Sequence, residues 1–323
     1  MEFKRISYRN KNNKFLYYFK NYFKQLLPAT YYQKKLTHQL NKFEKLSIDE
    51  RQNLLLRLNY YNQLKEKYIL SPNAEKLAEL KLQKANKTYY FDLYEYSRYF
   101  KQQLKGHFLF GDITKIPLEP GLVKSRPISN ENTNSVLLKW NKIRHFTFIE
   151  KNELQYSKKK DQLLFRGKVH TSQTQRVQFL EKYFGHSICN IGKINSNSLN
   201  SKWMAKRMTI NEQLKYKFIL CLEGNDVASN LKWVMSSNSI ALMPKPKYET
   251  WFMEGRLIAD YHYIEIKDDY SDLEERLRFF IKHPKKAELI IENANKHVEQ
   301  FKDQNNEDLI SLMVLDKYFK STN

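Results

Sequence analysis

The sequence predicts an α/β protein, because apolar runs that end in glycine-containing turns alternate with amphipathic runs along its second half. Three stretches carry the prediction: HFLFGDITKIPLEP (107–120), DQLLFRGKVHTSQTQRVQFL (161–180) and KYKFILCLEGNDVASNLKWVMSSNSIALMP (215–244). Each reads as a strand, a turn and then a loop or helix, and connections of this length between Leu163 and Ile266 predict a parallel sheet with helices on both faces.

From the amino terminus, residues 1–45 carry Lys4, Arg5, Arg9, Lys11, Lys14, Lys20, Lys24, Lys34, Lys35, Lys42 and Lys45 against only Glu2 and Glu44. Phe15, Leu16, Tyr17, Tyr18, Phe19, Tyr22, Phe23, Leu26 and Leu27 stand between them. Two readings are open: a helix lying in the headgroup region of an anionic bilayer, or a helix that packs its aromatic side on the domain and leaves its lysines in water. Residues 46–105 are helix-rich and polar. Ser47 with Glu50 forms a capping-box pattern before Leu54, Leu55, Leu58 and Tyr61, and Pro72 or Asn73 starts another helix through Leu77 and Leu80.

The strand from His107 ends in Gly111-Asp112, and open α/β sheets place reactive groups at the carboxyl ends of strands. Asp112 is therefore a candidate general base, the alternative being a turn or cap residue. Lys124, Arg126, Arg144 and His145 follow, to line the same cleft or to solvate it; the histidine is a candidate base because imidazole titrates near neutral pH. In the next stretch Arg166-Gly167 leaves the strand at Leu163–Phe165, and a Ser/Thr turn leads to a helix through Arg176 and Phe179. Both guanidinium groups are expected to converge on one anion. ICNIG (188–192) supplies another strand.

In the stretch from Lys215 to Pro244 the apolar run Phe218 to Leu222 ends in Glu-Gly-Asn-Asp. Gly224 lets the backbone approach a ligand, Asp226 or Ser229 caps a helix from Ser229 to Met235, and Lys232 adds a charge one turn in. That describes a phosphate-holding loop or an ordinary capped βα loop; neither glycine-rich nucleotide fingerprint is present. YETWF (248–252) offers Tyr248, Glu249 and Trp251 as aromatic and carboxylate groups for a ligand, with Trp251 and Phe252 in the core as the alternative. A strand at Tyr261 to Ile266 precedes a second capping box, Ser271 with Glu274; Pro284 separates two helices, and 301–323 ends in an amphipathic helix. The predicted divisions are 1–105, a helix-rich basic region; 106–160, the remainder of an N-terminal domain; 161–300, a C-terminal domain; and 301–323, a terminal helix.

With 56 Lys and Arg against 35 Asp and Glu the formal charge is +21, so polyanions are drawn to the surface. Cys189 and Cys221 lie in apolar runs and read as reduced buried thiols; no Cys/His metal spacing occurs. No secretory leader and no run of 18 apolar residues is present, so the expectation is a soluble or surface-bound protein.

Taken in order, FGDIT…KSRPI, LFRG…TS…R, KYKFILCLEGNDVASNLKW and HYIEI…SDL resemble glycosyltransferase family 90 over about 107–300. That group holds lipopolysaccharide-modifying transferases, capsule-associated xylosyltransferases and protein O-glucosyltransferases. The resemblance implies a GT-B arrangement, two Rossmann-like domains facing across a cleft, here with a helix-rich amino-terminal extension. It also implies a UDP-sugar held mainly by the carboxyl-terminal domain, inversion at the anomeric carbon, no metal or other cofactor, and an aspartate deprotonating the acceptor hydroxyl. Carried over, Asp112 is that base; Arg166, Gly167, Ser172 and Arg176 form one donor-binding turn, and Gly224, Asn225, Asp226, Ala228, Ser229 and Lys232 the other. Lys124, Arg126, His145, Tyr248, Glu249 and Trp251 are candidates for contacts to sugar or acceptor.

Where eukaryotic relatives have an arginine two residues after the serine, this chain has Leu231, so either Lys232 or Arg166 with Arg176 neutralises the leaving diphosphate. The chain contains no Asp-x-Asp pair, which leaves helix N-termini, arginine and lysine for that task. The expected function is transfer of a hexose, glucose or galactose, to a lipopolysaccharide or lipooligosaccharide acceptor. The site of action would be the cytoplasmic face of the inner membrane, on an anionic surface and without nucleic acid. The alternatives are a basic nucleic-acid-binding protein and an inactive nucleotide-sugar-binding scaffold.

Overall fold

The computed structural model describes residues 12–150 and 154–323. Lys4, Arg5, Arg9 and Lys11 lie outside the described residues. Among the described residues the strands are β1 (Glu75–Lys76), β2 (Lys105–Leu109), β3 (Gly121–Val123), β4 (Ser125–Pro127), β5 (Ser135–Leu137), β6 (Lys160–Gly167) and β7 (Cys189–Lys193). They continue with β8 (Tyr216–Leu220), β9 (Ile240–Met243), β10 (Tyr248–Thr250) and β11 (Ile264–Glu265). The protein is a mixed α/β structure with parallel sheets.

The chain divides into two units, and the division corrects the predicted one. An N-terminal unit comprises Asn13–Ile143, Lys247–Glu254 and Phe301–Asn323; a C-terminal unit holds Arg144–Pro246 and Gly255–Gln300. The change of unit falls after Ile143 rather than near 160, and 1–105 is no separate extension, because β1 pairs with β2 in the sheet of the N-terminal unit. Residues 247–254 and 301–323 return to that unit. Local composition carries no sign of these returns, since each is fixed by partners more than 100 residues away, such as β4 for β10.

In the C-terminal unit five strands lie in the order β11-β9-β8-β6-β7, every pairing parallel. β8 and β9 are buried along their whole length, as central strands covered on both faces must be. Leu163, Phe165, Phe218, Leu220, Leu242 and Ile264 from the strands meet Phe179, Leu180, Leu277 and Ile290 from the helices in one core. The chain steps from β6 outward to β7, then reverses past β6 to β8 and onward to β9 and β11. With right-handed crossovers that reversal puts the connections on opposite faces and leaves a crevice where β6 and β8 meet.

The N-terminal unit has the sheet β1-β2-β3-β5, with β2, β3 and β5 parallel and β1 antiparallel at the edge. Its β4 pairs antiparallel with β10. The residues expected to open a helix at Pro72 or Asn73 instead form β1 and a short turn, Leu77–Glu79, because Glu75 and Lys76 pair with Gly106 and Lys105. The Gln304–Thr322 helix buries Leu309, Leu312, Leu315, Tyr318 and Phe319, the apolar positions its sequence spacing gives.

Candidate functional site

The crevice between β6 and β8 receives both predicted donor turns. β6 ends at Gly167, and the chain beyond β8 runs Cys221-Leu222-Glu223-Gly224, so the two glycines leave adjacent parallel strands at their carboxyl ends. At such a reversal the connections diverge and leave room for a ligand. Arg176, on the Thr174–Tyr183 helix, reaches both turns. Its guanidinium donates to the carbonyls of Lys168 (2.7 Å), Leu222 (2.8 Å) and Glu223 (3.0 Å), tying the loop after β6 to the loop after β8.

Those bonds take three of five N–H donors. Burial brings the Arg176 pKa down to about 10, Arg144 pushes it the same way by like charge, and Asp226 opposes both. Gly224 lets this arrangement close up, since a Cβ there would press on Arg176 Nη2 at 3.2 Å and on Gln173 Nε2 at 3.3 Å.

The loop after β6 is also fastened from its other side. Asn195 and Asn197 donate to the Val169 carbonyl at 3.0 and 2.6 Å, and Asn195 accepts from Val169 N–H at 2.8 Å. Gln173 accepts from His170 N–H at 3.1 Å. These residues were missed in the sequence, where an asparagine-rich run after a strand reads as an ordinary loop; Arg144 was read there as lining the cleft beside Asp112 or solvating it, with no link to Arg176.

Other predicted donor residues lie as follows. Arg166 turns away from Arg176: it donates to the carbonyls of Lys206 (3.2 Å), Phe165 (2.8 Å) and Asn190 (2.8 Å) and to Asn190 Oδ1 (2.5 Å). The two guanidinium groups share no partner, so the expected convergence on one anion is corrected. Ser172 and Asn225 are exposed, Ser229 is half-buried, and Ala228 and Asp226 are buried. The helix expected from Ser229 is shorter, Leu231–Met235, and every residue in it is buried rather than amphipathic. Its N-cap is Asn230, with no side-chain cap bond, because the Asn230 amide donates to Leu220 O at 3.0 Å. Lys232 is fully buried, with Nζ 6.0 Å from the centroid of the Phe146 ring, and so does not reach out of the loop.

In the N-terminal unit, Asp112 follows the carboxyl end of β2 through Gly111, whose φ of 113° is open to glycine and strained for other residues. The half-exposed Asp112 carboxylate is ion-paired with the buried Lys124 ammonium, and the Ser125 hydroxyl accepts from Ile113 N–H at 3.2 Å. Phe110, two residues before it, and Trp140, in the segment that follows β5, have ring centroids 5.0 Å apart.

Four of the sugar or acceptor candidates belong to the core instead. Arg126 and Glu249 are cross-strand partners on β4 and β10; the guanidinium donates to Glu249 Oε1 at 2.7 Å and to the carbonyls of Ser135 and Tyr60 at 2.9 Å each. Trp251 is 0% exposed, stacks on Tyr61 at 3.8 Å, and donates to Glu307 at 2.9 Å, so it has no face left for a sugar. Lys139 and Arg57 hold Glu307 in turn; burial pushes the Glu307 pKa up, but these two cations outweigh it and keep it below the usual range. His145 is buried at 3% exposure, against the expectation of a cleft base. Tyr248 is half-buried at the start of β10.

Residues 131–320 match the model of glycosyl transferase family 90. Over 307 residues the chain is 41% identical to the O-glucosyltransferase LpsA of Dichelobacter nodosus, covering 95% of each protein. A shorter match, 30% identical over 102 residues, is to uncharacterized protein 179R of Invertebrate iridescent virus 6, covering 29% of this chain and 8% of that protein.

Proposed function

The chain belongs to glycosyl transferase family 90, and from that premise we propose that it moves glucose from UDP-glucose to a hydroxyl of a lipid-linked or lipopolysaccharide oligosaccharide. Glucose is preferred to galactose because the relative matched along 95% of its length is named an O-glucosyltransferase. The observation that carries the donor assignment is the pair of loops at the β6/β8 reversal, held together by Arg176.

The UDP diphosphate lies beside Gly224, where the missing Cβ leaves room for the Arg176 guanidinium, and takes the two remaining N–H donors of Arg176. Arg144, close enough to depress Arg176 by like charge, adds a second cation that an anion between them would relieve. Negative charge growing on the departing diphosphate is thereby met by fixed cations, so the reaction proceeds without a metal. Asp112 takes the proton of the acceptor hydroxyl as that oxygen attacks the anomeric carbon opposite the departing UDP, which inverts the configuration. The finer assignment to the GT-B type is supported by the separate parallel sheet of each unit. Action at the cytoplasmic face of the inner membrane follows from a lipid-anchored acceptor and a soluble nucleotide-sugar.

The test is transfer from UDP-glucose to deacylated lipopolysaccharide, with turnover and UDP affinity measured separately. Asp112→Asn should lower turnover by about 10²–10⁴ and leave UDP affinity unchanged, because a lost general base removes that much rate and nothing from donor binding. Undiminished turnover in this variant removes Asp112 from the reaction; UDP-galactose used in preference to UDP-glucose overturns the sugar assignment.

A further inference from the structure

The Lys14–Gln25 helix has its faces reversed for a soluble protein. Tyr17, Asn21 and Lys24 turn inward: the Tyr17 hydroxyl donates to Asp92 at 2.7 Å, Asn21 is 6% exposed, and Lys24 is ion-paired with Glu95. Tyr18 and Tyr22 pack edge-on against Phe91. Phe15, Phe19, Phe23 and Leu26, spaced four, four and three residues apart and so on one face, are 79%, 60%, 59% and 75% exposed. The helix is thus anchored by its polar side, and four large apolar side chains point away from the unit that holds it. Singly exposed apolar residues need no explanation, but a contiguous stripe marks an interaction surface.

Charge selects the occupant. Between Glu2 and Glu44 the chain has no Asp or Glu, and Lys14, Lys20, Lys34 and Lys35 are exposed on or just beyond this helix. An apolar stripe on a stretch of chain whose only charges are cationic is complementary to an anionic lipid surface: the rings enter the headgroup boundary and the ammonium groups meet phosphate. A second copy of the chain would bring the same cations face to face.

We propose that the Phe15, Phe19, Phe23 and Leu26 stripe is a docking surface for an anionic bilayer, into which the Lys14–Gln25 helix settles parallel to the membrane plane. The inference goes beyond the transfer reaction and needs no donor or acceptor to be tested. The purified full chain is sedimented with vesicles of equal parts phosphatidylglycerol and phosphatidylcholine, and with phosphatidylcholine alone. The expected result is binding to the anionic vesicles, weakened about ten-fold or more by Phe15→Ser/Phe19→Ser/Phe23→Ser and by Lys14→Glu/Lys20→Glu/Lys34→Glu. All six side chains are exposed, so circular dichroism and thermal unfolding should match the parent.

Anionic vesicles left unbound by the parent, or bound equally by both variants, overturn the proposal. So does a parent that is dimeric by light scattering and becomes monomeric in the triple-serine variant, since the stripe would then be a contact between copies. Single-stranded DNA competing off vesicles and losing its own binding in the triple-serine variant would likewise reassign the stripe.

Discussion

At Arg176 one side chain is asked to do two things, and substitution separates them. Its bonds to the Lys168, Leu222 and Glu223 carbonyls hold two loops together, while the remaining N–H groups are assigned to diphosphate. Arg176→Ala should weaken UDP binding by ten-fold or more, since a hydrogen bond to a charged group contributes about 1.5–3 kcal/mol. Arg176→Lys should recover little, because an ammonium cannot span three carbonyls and an anion. Calorimetry with UDP reads both variants, and unchanged affinity in the alanine variant contradicts the donor site. Gly224→Ala probes the same place from the backbone. Its Cβ would press on Arg176 and Gln173 at 3.2 and 3.3 Å, so affinity should fall several-fold while stability stays within about 0.5 kcal/mol. Features set by local sequence, the strand that ends before Gly111-Asp112 and the turn at Gly224 beyond β8, were legible as apolar runs that stop at a glycine. Arg126 and Glu249 were not, and Trp251 stood open between ligand and core: their partners come from strands and helices far along the chain, and an aromatic or charged residue after a strand looks the same whether it faces a ligand or the core.

Secondary-structure elements show the same division between local and distant causes. Ser47 with Glu50 forms the expected capping box, Ser47 N–H donating to Glu50 at 2.9 Å. The box expected at Ser271 and Glu274 does not form; the Ser271 hydroxyl is taken by Asp269 at 2.8 Å and the N-cap is Asp272. Each parallel strand of the C-terminal unit was visible as an apolar run, yet their lateral order was not, because order is set by crossovers rather than by any one run. The Lys87–Ser97 helix supports a pH prediction. Burial pushes the Glu95 pKa up, but Lys142 and Lys24 outweigh it and hold it at about 2, below the ordinary 4.5. A carboxyl with a depressed folded pKa contributes stability that is complete above the unfolded value and fades as pH falls toward the folded one. The contribution of Glu95 should therefore be present above about pH 4.5 and lost toward pH 2. Glu95→Gln should lower stability near neutral pH by a few kcal/mol, as denaturant unfolding would measure, and flatten the decline on that acid limb. An unchanged acid limb would show that the two lysines do not hold this carboxylate in solution.

The charge of the whole molecule decides how a rival reading can be excluded. A formal +21 attracts any polyanion at low salt, so binding to nucleic acid under those conditions would say nothing about function. Non-specific contacts to phosphates exchange with counterions, and affinity falls by about 10³–10⁵ between 50 and 200 mM salt for a protein making 6–10 of them. An arginine fork on one small diphosphate displaces far fewer counterions than a run of phosphate contacts, so UDP binding at the proposed site depends less on salt. Raising salt through that range should therefore release single-stranded and duplex DNA while UDP affinity changes by only a few-fold. Tight nucleic-acid binding that survives physiological salt, with UDP failing to bind, would make the charge the functional feature. Retention of UDP with loss of DNA confines the charge to attraction at the surface, and leaves recognition to the two glycine loops at the sheet's reversal.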